Sequence, residues 1–248
     1  MADRLHKLLA QAGLGSRREI EGWIREGRVK LNGKTAELGQ TATAKDSVSV
    51  NGRPVNLEKS QKQATRVLLY KKRVGEVVTR RDPEGRPTIF KRLPRIPSGR
   101  WIPVGRLDIN TSGLLLLTNN GELASRLMHP RYEVEREYAV RVHGEVTDAL
   151  LEQLSAGVEL DDGMARFEAI KAAPGKEGAS RNQWYHVVLR EGRNREVRRL
   201  WESQGLEVSR LMRVRYGPIP LPGGIKSGTA VELEKPAIKA LLRAVDLK

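Results

Sequence analysis

Hydrophobic positions near the start of the chain recur at helical spacing. Leu5, Leu8, Leu9 and Ala12 fall at i, i+3, i+4 and i+7, one face of a helix. Asp3 is placed to cap its start and Gly13 to end it. A second helix is predicted from Ser16, whose spacing to Glu19 makes a capping box; Ile20, Trp23 and Ile24 turn inward and Gly27 closes it. The period then drops to two. Val29-Lys30-Leu31 runs into Asn32-Gly33, and Val48-Ser49-Val50 into Asn51-Gly52, each a short strand with a hairpin turn signal. No longer period accompanies these two pieces, so they read as repeated hairpin chemistry and not as a solenoid.

Glu58 to Thr65 is polar and breaks the pattern, as a linker does. Val67-Leu68-Leu69-Tyr70 then opens a second body as a buried strand. Arg80 to Pro87 and Arg92 to Arg100 are basic, proline-containing connections; the first suits a surface loop or a nucleic-acid contact equally. Leu114 to Leu117, bounded by Gly113 and Asn119-Asn120-Gly121, read as an interior strand. Glu122 to Met128 follows as a short helix ended by His129-Pro130, then an alternating strand over Val134 to Val142. Thr147 caps a helix that carries Leu150, Leu151 and Leu154 and ends at Gly157. Strands are predicted over Val158 to Leu160, Ala165 to Ile170, Trp184 to Arg190 and Val208 to Tyr216, and helices over Arg193 to Ser203 and Ala237 to Val245. Strands interleaved irregularly with helices predict an α+β fold with a largely antiparallel sheet. The organisation expected is a small domain over 1–59, a linker over 60–66 and a large domain over 67–248.

Charge narrows the partner. The 248 residues carry a formal net charge of +15, which opposes compaction unless a polyanion offsets it, so nucleic acid is the expected partner. No long apolar segment or amphipathic anchor appears, so no membrane partner is expected. The absence of cysteine excludes disulfides, thiol catalysis and thiolate-bound zinc. His6, His129, His143 and His186 lack metal-ligand spacing, and no metal is expected. Met1-Ala2-Asp3-Arg4 runs into an amphipathic helix and not an apolar signal core, which points to the cytoplasm.

Candidate chemistry is sparse. Asp108 stands just before the buried leucine run, on a loop anchored to a rigid element, where catalytic groups are displayed. The alternative is an acid that caps a turn and pairs with Arg106. Tyr138 shares a strand face with Val140 and Val142, as a core tyrosine would. The helix after Arg193 sets Val197, Leu200 and Trp201 on an apolar face and Arg195, Arg198, Arg199 and Glu202 on a charged one, where an Arg198–Glu202 surface pair is the plain expectation. Arg17, Arg18, Arg25, Arg28 and Lys30 gather on the small domain; like charges so placed repel without an anion.

Three motifs in order say more than any one alone. Gly105-Arg106-Leu107-Asp108 followed by Thr111-Ser112-Gly113-Leu114-Leu115-Leu116-Leu117-Thr118, then Glu135 to Val140, then Glu191 to Leu200, resemble the RsuA/RluB branch of pseudouridine synthases. The N-terminal two-helix unit resembles the S4 RNA-binding domain. The resemblance covers nearly the whole chain. It implies an S4-like module followed by a synthase domain whose mixed, largely antiparallel sheet carries flanking helices and a central cleft. It implies Asp108 as the catalytic acid, acting as nucleophile or base on a flipped uridine, Tyr138 as the ring that stacks on that base, and Arg198 as the partner of Asp108. Leu211 corresponds to an apolar wall of the uracil pocket, a core leucine being the alternative, and Arg106 to an RNA contact that helps open the stem. On the S4-like module it implies RNA contacts by Arg4, Lys7, Ser16, Arg17, Arg18, Arg28 and Lys30. Other branches carry His-Gln where this chain has Arg195-Glu196. The chemistry implied needs no cofactor, and the partner implied is 23S ribosomal RNA, met by a monomer. The alternatives are a catalytically silent RNA-binding or ribosome-assembly factor, and the same chemistry on 16S ribosomal RNA.

Overall fold

The computed structural model describes residues 2–58, 64–96, 99–173 and 182–247. Two compact units divide the chain, one centred on residues 1–66 and one holding 67–93, 103–117 and 122–248. The expected linker over 60–66 lies mostly outside the described residues.

In the first unit, helices Leu5–Gln11 (α1) and Arg17–Arg25 (α2) pack on a small sheet. Its core is Leu5, Leu8, Leu9, Ile20, Ile24, Val29 and Val48 with their neighbours, which are the positions the periodicity selects. The capping box at α2 forms on both sides: Ser16 Oγ accepts from the Glu19 amide at 3.1 Å, and Glu19 Oε2 accepts from the Ser16 amide at 2.6 Å. Asp3 does not cap α1. Its backbone pairs with Ala42 and its carboxylate accepts from Lys7 Nζ at 2.9 Å, so the chain is extended there and Arg4 takes the cap position. Both Asn-Gly turns adopt left-handed backbone at each central residue, with φ of 51° and 82° at Asn32-Gly33 and 52° and 75° at Asn51-Gly52. That is the twist a two-residue hairpin needs.

In the second unit a mixed sheet carries the architecture. From one edge its strands are Ala169–Ala172 (β1), Asn182–Leu189 (β2), Arg136–His143 (β3), Glu207–Tyr216 (β4), Ser112–Thr118 (β5), Val67–Lys72 (β6) and Ala230–Glu232 (β7). β3 runs antiparallel to both neighbours, while β4 meets β5 in parallel through Met212↔Ser112 and Arg213↔Gly113. Leu114, Leu115, Leu116 and Leu117 are all fully buried, as a strand covered on both faces requires. Helices Gly121–Met128, Asp148–Ala156, Glu196–Glu202 and Lys235–Arg243 surround the sheet. Thr147 Oγ1 accepts from the Leu150 amide at 3.3 Å, capping the second of these as expected.

Two elements differ from their predicted extents. The strand expected over Ala165 to Ile170 is split into Gly163–Ala165 and Ala169–Ala172, with Phe167 buried between them. The helix expected from Arg193 begins at Glu196, because Arg195 takes a left-handed conformation at φ 50°. In the 80–87 loop, Arg86 chelates Asp82 at 2.7 Å and Arg80 lies 4.4 Å from the Phe90 ring centroid, so part of its positive charge is used internally.

Candidate active site

Asp108 is held from behind. β6 ends in Lys72, fully buried, whose Nζ donates to the carbonyls of Asp108 and Arg73 at 2.9 Å and of Thr111 at 2.8 Å. The Thr111 amide closes the turn by donating to the Asp108 carbonyl at 3.0 Å. Burial pushes the Lys72 ammonium down to about 8, with Glu76 and Asp108 acting against that shift. Glu76, itself buried, accepts from Tyr70 Oη at 2.9 and 2.8 Å and from the Arg73 amide at 3.1 Å. The backbone of the loop is thus fixed while the Asp108 carboxylate makes no hydrogen bond or ion pair among the described residues. The Arg106–Asp108 pair is not formed.

Past the loop, Gly113 lets β5 approach β4. Its φ is +99°, and a Cβ there would stand 2.3 Å from the Arg213 carbonyl oxygen. Asp108, just before this junction, lines a cleft of about 680 Å³ together with Arg106, Tyr138, Arg195, Leu211 and Arg213, among others. Tyr138 and Leu211 are each mostly buried, 9 % and 6 % exposed, on the adjacent strands β3 and β4. The cleft therefore brings together Asp108, Tyr138, Arg106 and Leu211.

Two buried cations of the cleft lining, Arg136 and Arg213, carry no acid of their own among the described residues. Arg136 and Arg213 flank Tyr216, at 5.3 and 5.0 Å from its ring centroid. All three are buried, and their polar heads go to backbone: Arg136 Nη1 to the Arg190 carbonyl at 2.7 Å, Arg213 Nε to the Leu114 carbonyl at 2.8 Å, and Tyr216 Oη to the Leu127 carbonyl at 2.7 Å. Neither guanidinium has a carboxylate within ion-pair distance among the described residues. Glu196 also lines the cleft; its Oε2 accepts from the Arg193 amide at 3.0 Å, and burial raises its carboxyl above the usual range.

Arg198 is placed differently from both expectations. It is buried, and its guanidinium donates to the Val208 carbonyl at 2.7 Å and to the Asn110 carbonyl at 3.2 Å. No ion pair joins it to Asp108 or to Glu202, which takes Arg195 instead at 3.3 Å. Arg198 thus meets the loop at Asn110, two residues past the acid. Burial lowers the Arg198 guanidinium, and Arg195 adds to that, while Asp108 opposes it.

On the S4-like module the seven expected contacts divide. Lys7 is paired with Asp3, Arg28 with Glu26 at 2.9 Å, and Ser16 is spent on its helix cap. Arg4 Nη1 donates to the Gly39 carbonyl at 3.3 Å. Arg17, Arg18 and Lys30 are exposed and have no acidic partner among the described residues.

Sequence reasoning missed Lys72, Arg136, Arg213 and Tyr216. Parity gave one signal: Lys72 follows Leu68 and Tyr70 at two-residue spacing, on a buried face.

This fold and cleft define an RNA-modifying enzyme with an attached RNA-binding module, and the chain belongs to the RNA pseudouridylate synthase family. That family's model matches residues 66–203, and the S4 domain model matches residues 3–48. Over its whole length the chain is 57% identical to a Ribosomal large subunit pseudouridine synthase B from Pseudomonas aeruginosa, of which it spans 64%. It is 56% identical to the protein of that name from Escherichia coli strain K12, of which it spans 84%. A solved pseudouridylate synthase shares the fold, with a TM-score of 0.66 at 22% identity over 96% of this chain and 99% of the other. No helix among the described residues is long and apolar enough to cross a membrane.

Proposed function

We propose that this protein isomerises a uridine of 23S ribosomal RNA to pseudouridine in the cytoplasm, as a monomer. The S4 domain, over 1–59, docks structured RNA and the domain over 67–248 does the chemistry, with 60–66 linking them. The observation that carries this reading is the Asp108 carboxylate, unpartnered on a pinned loop and sharing a cleft with Tyr138.

The reaction breaks the bond from N1 to C1′, turns the uracil, joins C5 to C1′ and moves the C5 proton to N1. Atoms and electrons balance within the substrate, so no cofactor is needed. Asp108 serves as nucleophile at C1′ or removes a sugar proton. Tyr138 and Leu211 hold the flipped base between an aromatic ring and an apolar wall. Stacking of this kind contributes about 1–3 kcal/mol, which offsets part of an unstacking cost of a few kcal/mol. The carboxylate-free guanidiniums of the cleft lining leave a positive field for the phosphates that accompany the base. Arg106, exposed at the rim, meets the RNA, and Arg198 and Lys72 fix the loop that presents Asp108.

Release of tritium from 23S transcript labelled at C5 of uridine tests the reaction. Stoichiometric release by the wild-type protein, with pseudouridine mapped to one position, is the expected result. RNA binding without release points to a silent binding factor, and release only from 16S transcript moves the substrate to the small subunit.

A further inference from the structure

The sheet has a second face that the catalytic cleft does not use. Across its three adjacent strands, Trp184 on β2, Arg141 on β3 and Arg210 on β4 are direct cross-strand partners. Side chains paired in this way share a face and stand within reach of one another. Tyr138 and Leu211 belong to the opposite parity and face the cleft.

Trp184 is 37 % exposed, whereas Trp101 and Trp201 are buried. No ring or guanidinium covers its indole among the described residues. Arg141 is steadied by Nε donating to Ser209 Oγ at 2.9 Å, and Arg210 is exposed. Lys171, exposed on β1, stands across from His186 on the same face. Arg141, Arg210 and Lys171 have no acidic partner among the described residues. Of the acids on this face, Glu137 is already taken by His186 at 2.8 Å and Arg215 at 2.9 Å, and Glu207, exposed across from His143 at the strand end, pairs with neither Arg141 nor Arg210 among the described residues. Beside the indole lies a cavity of about 640 Å³, bounded by Val74, Met212, Asn110 and Arg198 and backed by Leu211. Val74 is 62 % exposed at its rim. That volume falls in the range of about 300–1,000 Å³ usual for ligand pockets.

We propose that this face binds an unpaired nucleotide of the RNA, its base stacked on Trp184 and its flanking phosphates on Arg141 and Arg210. An indole that no ring or guanidinium of the described residues covers, set beside arginines with no acid among those residues, is the arrangement by which single-stranded nucleic acid is held: a ring for any base, cations for the backbone. A protein partner would find little apolar surface here beyond Val74, Met212 and the indole. The cavity also touches Asn110 and Arg198, which meet at the rear of the Asp108 loop. The proposal rests on RNA being the substrate, as argued above.

The test uses the full chain with two probes, a fluorescein-labelled oligouridine 12-mer and the 23S transcript. Trp184→Ala is expected to weaken oligouridine binding roughly 5- to 150-fold, the affinity equivalent of one missing stack. Trp184→Phe keeps a ring and is expected to retain most of the affinity. Arg141→Ala with Arg210→Ala is expected to lower the slope of log affinity against log salt by about 0.7 for each single-strand phosphate that is no longer neutralised. With saturating 23S transcript, single-turnover rates of variants whose melting midpoints match wild type are expected to stay within a few-fold. Oligouridine affinity and salt slope unchanged in the arginine double variant, together with an unchanged Trp184→Ala, overturn the proposal and assign this face to something other than RNA. If Trp184→Ala does not fold, the exposed arginine pair decides it, and an unchanged affinity and salt slope in that double variant overturn the proposal. Failure of the wild-type protein to release tritium from 23S transcript is a separate result, which defeats the proposed activity and leaves the oligouridine measurement standing.

Discussion

The Lys72 ammonium sits 2.9 Å from the Asp108 carbonyl oxygen, at the buried end of the strand Val67–Lys72. The lysine addresses the backbone of the acid and leaves its carboxylate alone. Burial holds the ammonium down to about 8, from 10.5. The unfolded chain therefore binds one more proton than the folded chain between those two values. In that window the contribution of Lys72 to stability rises with pH, because a buried charge is being relieved. Positioning runs the other way, since the neutral amine loses a donor and its charge. The single-turnover rate is expected to fall as pH rises through about 8, without a matching loss of melting midpoint. Rate and midpoint measured together across the alkaline range check this; a rate that stays flat there removes Lys72 from the mechanism.

Asp108→Asn is expected to fold and bind RNA as the wild type does while abolishing turnover. The carboxylate has no partner to lose among the described residues, and an amide is a poor nucleophile and base. Tritium release at a substantial fraction of the wild-type rate would overturn the assignment of Asp108.

Tyr138 and Arg198 are expected to separate by readout. Tyr138→Phe keeps the ring, so RNA affinity should hold and any loss should fall on the chemical step. Arg198→Met removes a donor from the buried Val208 carbonyl, at a cost of about 1–3 kcal/mol for a buried group left unsatisfied, and releases the Asn110 carbonyl on the exposed side of the turn. It should lower the melting midpoint and slow single-turnover chemistry more than it weakens binding. A large affinity loss with normal chemistry would make Arg198 a phosphate contact.

Replacing Arg17, Arg18 and Lys30 with alanine is expected to weaken 23S transcript binding and flatten its salt dependence. Each phosphate left without its cation takes roughly 0.9 off the slope, borrowing the duplex DNA value for a structured RNA. Deleting residues 1–59 should do the same and leave the catalytic domain folded. Titrations at several salt concentrations check both, and identical slopes would contradict docking by this module.

Gly113→Ala is expected to destabilise the second unit by at least about 2 kcal/mol. The left-handed backbone costs a side chain about 1–3 kcal/mol, and the methyl meets the Arg213 carbonyl as well. Chemical denaturation reads this directly, and a variant as stable as wild type would mean that the β4–β5 junction relaxes freely.

What could be read from sequence follows from what is local. The capping box at Ser16, both Asn-Gly turns and the leucine run are stated by neighbouring residues, and each is realised. Asp108, Tyr138 and Leu211 share one cleft, although roles for them came from resemblance and not from spacing. The misses are long-range. Lys72 is functional-looking only once the 108–111 loop is laid across it, and Arg136 and Arg213 only once Tyr216 is slid between them. Asp3 failed as a cap because Ala42, far along the chain, claims its backbone. Arg198 looked like a surface cation because helical spacing cannot report that two carbonyls wait beneath it.

The parallel junction between Ser112–Gly113 and Met212–Arg213 also sets an order of assembly. The S4 core is drawn from residues between Leu5 and Leu57, so it can close as soon as that stretch has been synthesised. The strand Ser112–Thr118 has its other neighbour, Val67–Lys72, already synthesised, but its β4 edge stays open until Arg213 has emerged, and contacts of that span form late. A growing chain therefore acquires its grip on RNA well before it acquires chemistry. A chain that stops short of Met212 lacks the strand that Ser112 and Gly113 pair with, so the turn that presents Asp108 has one open side.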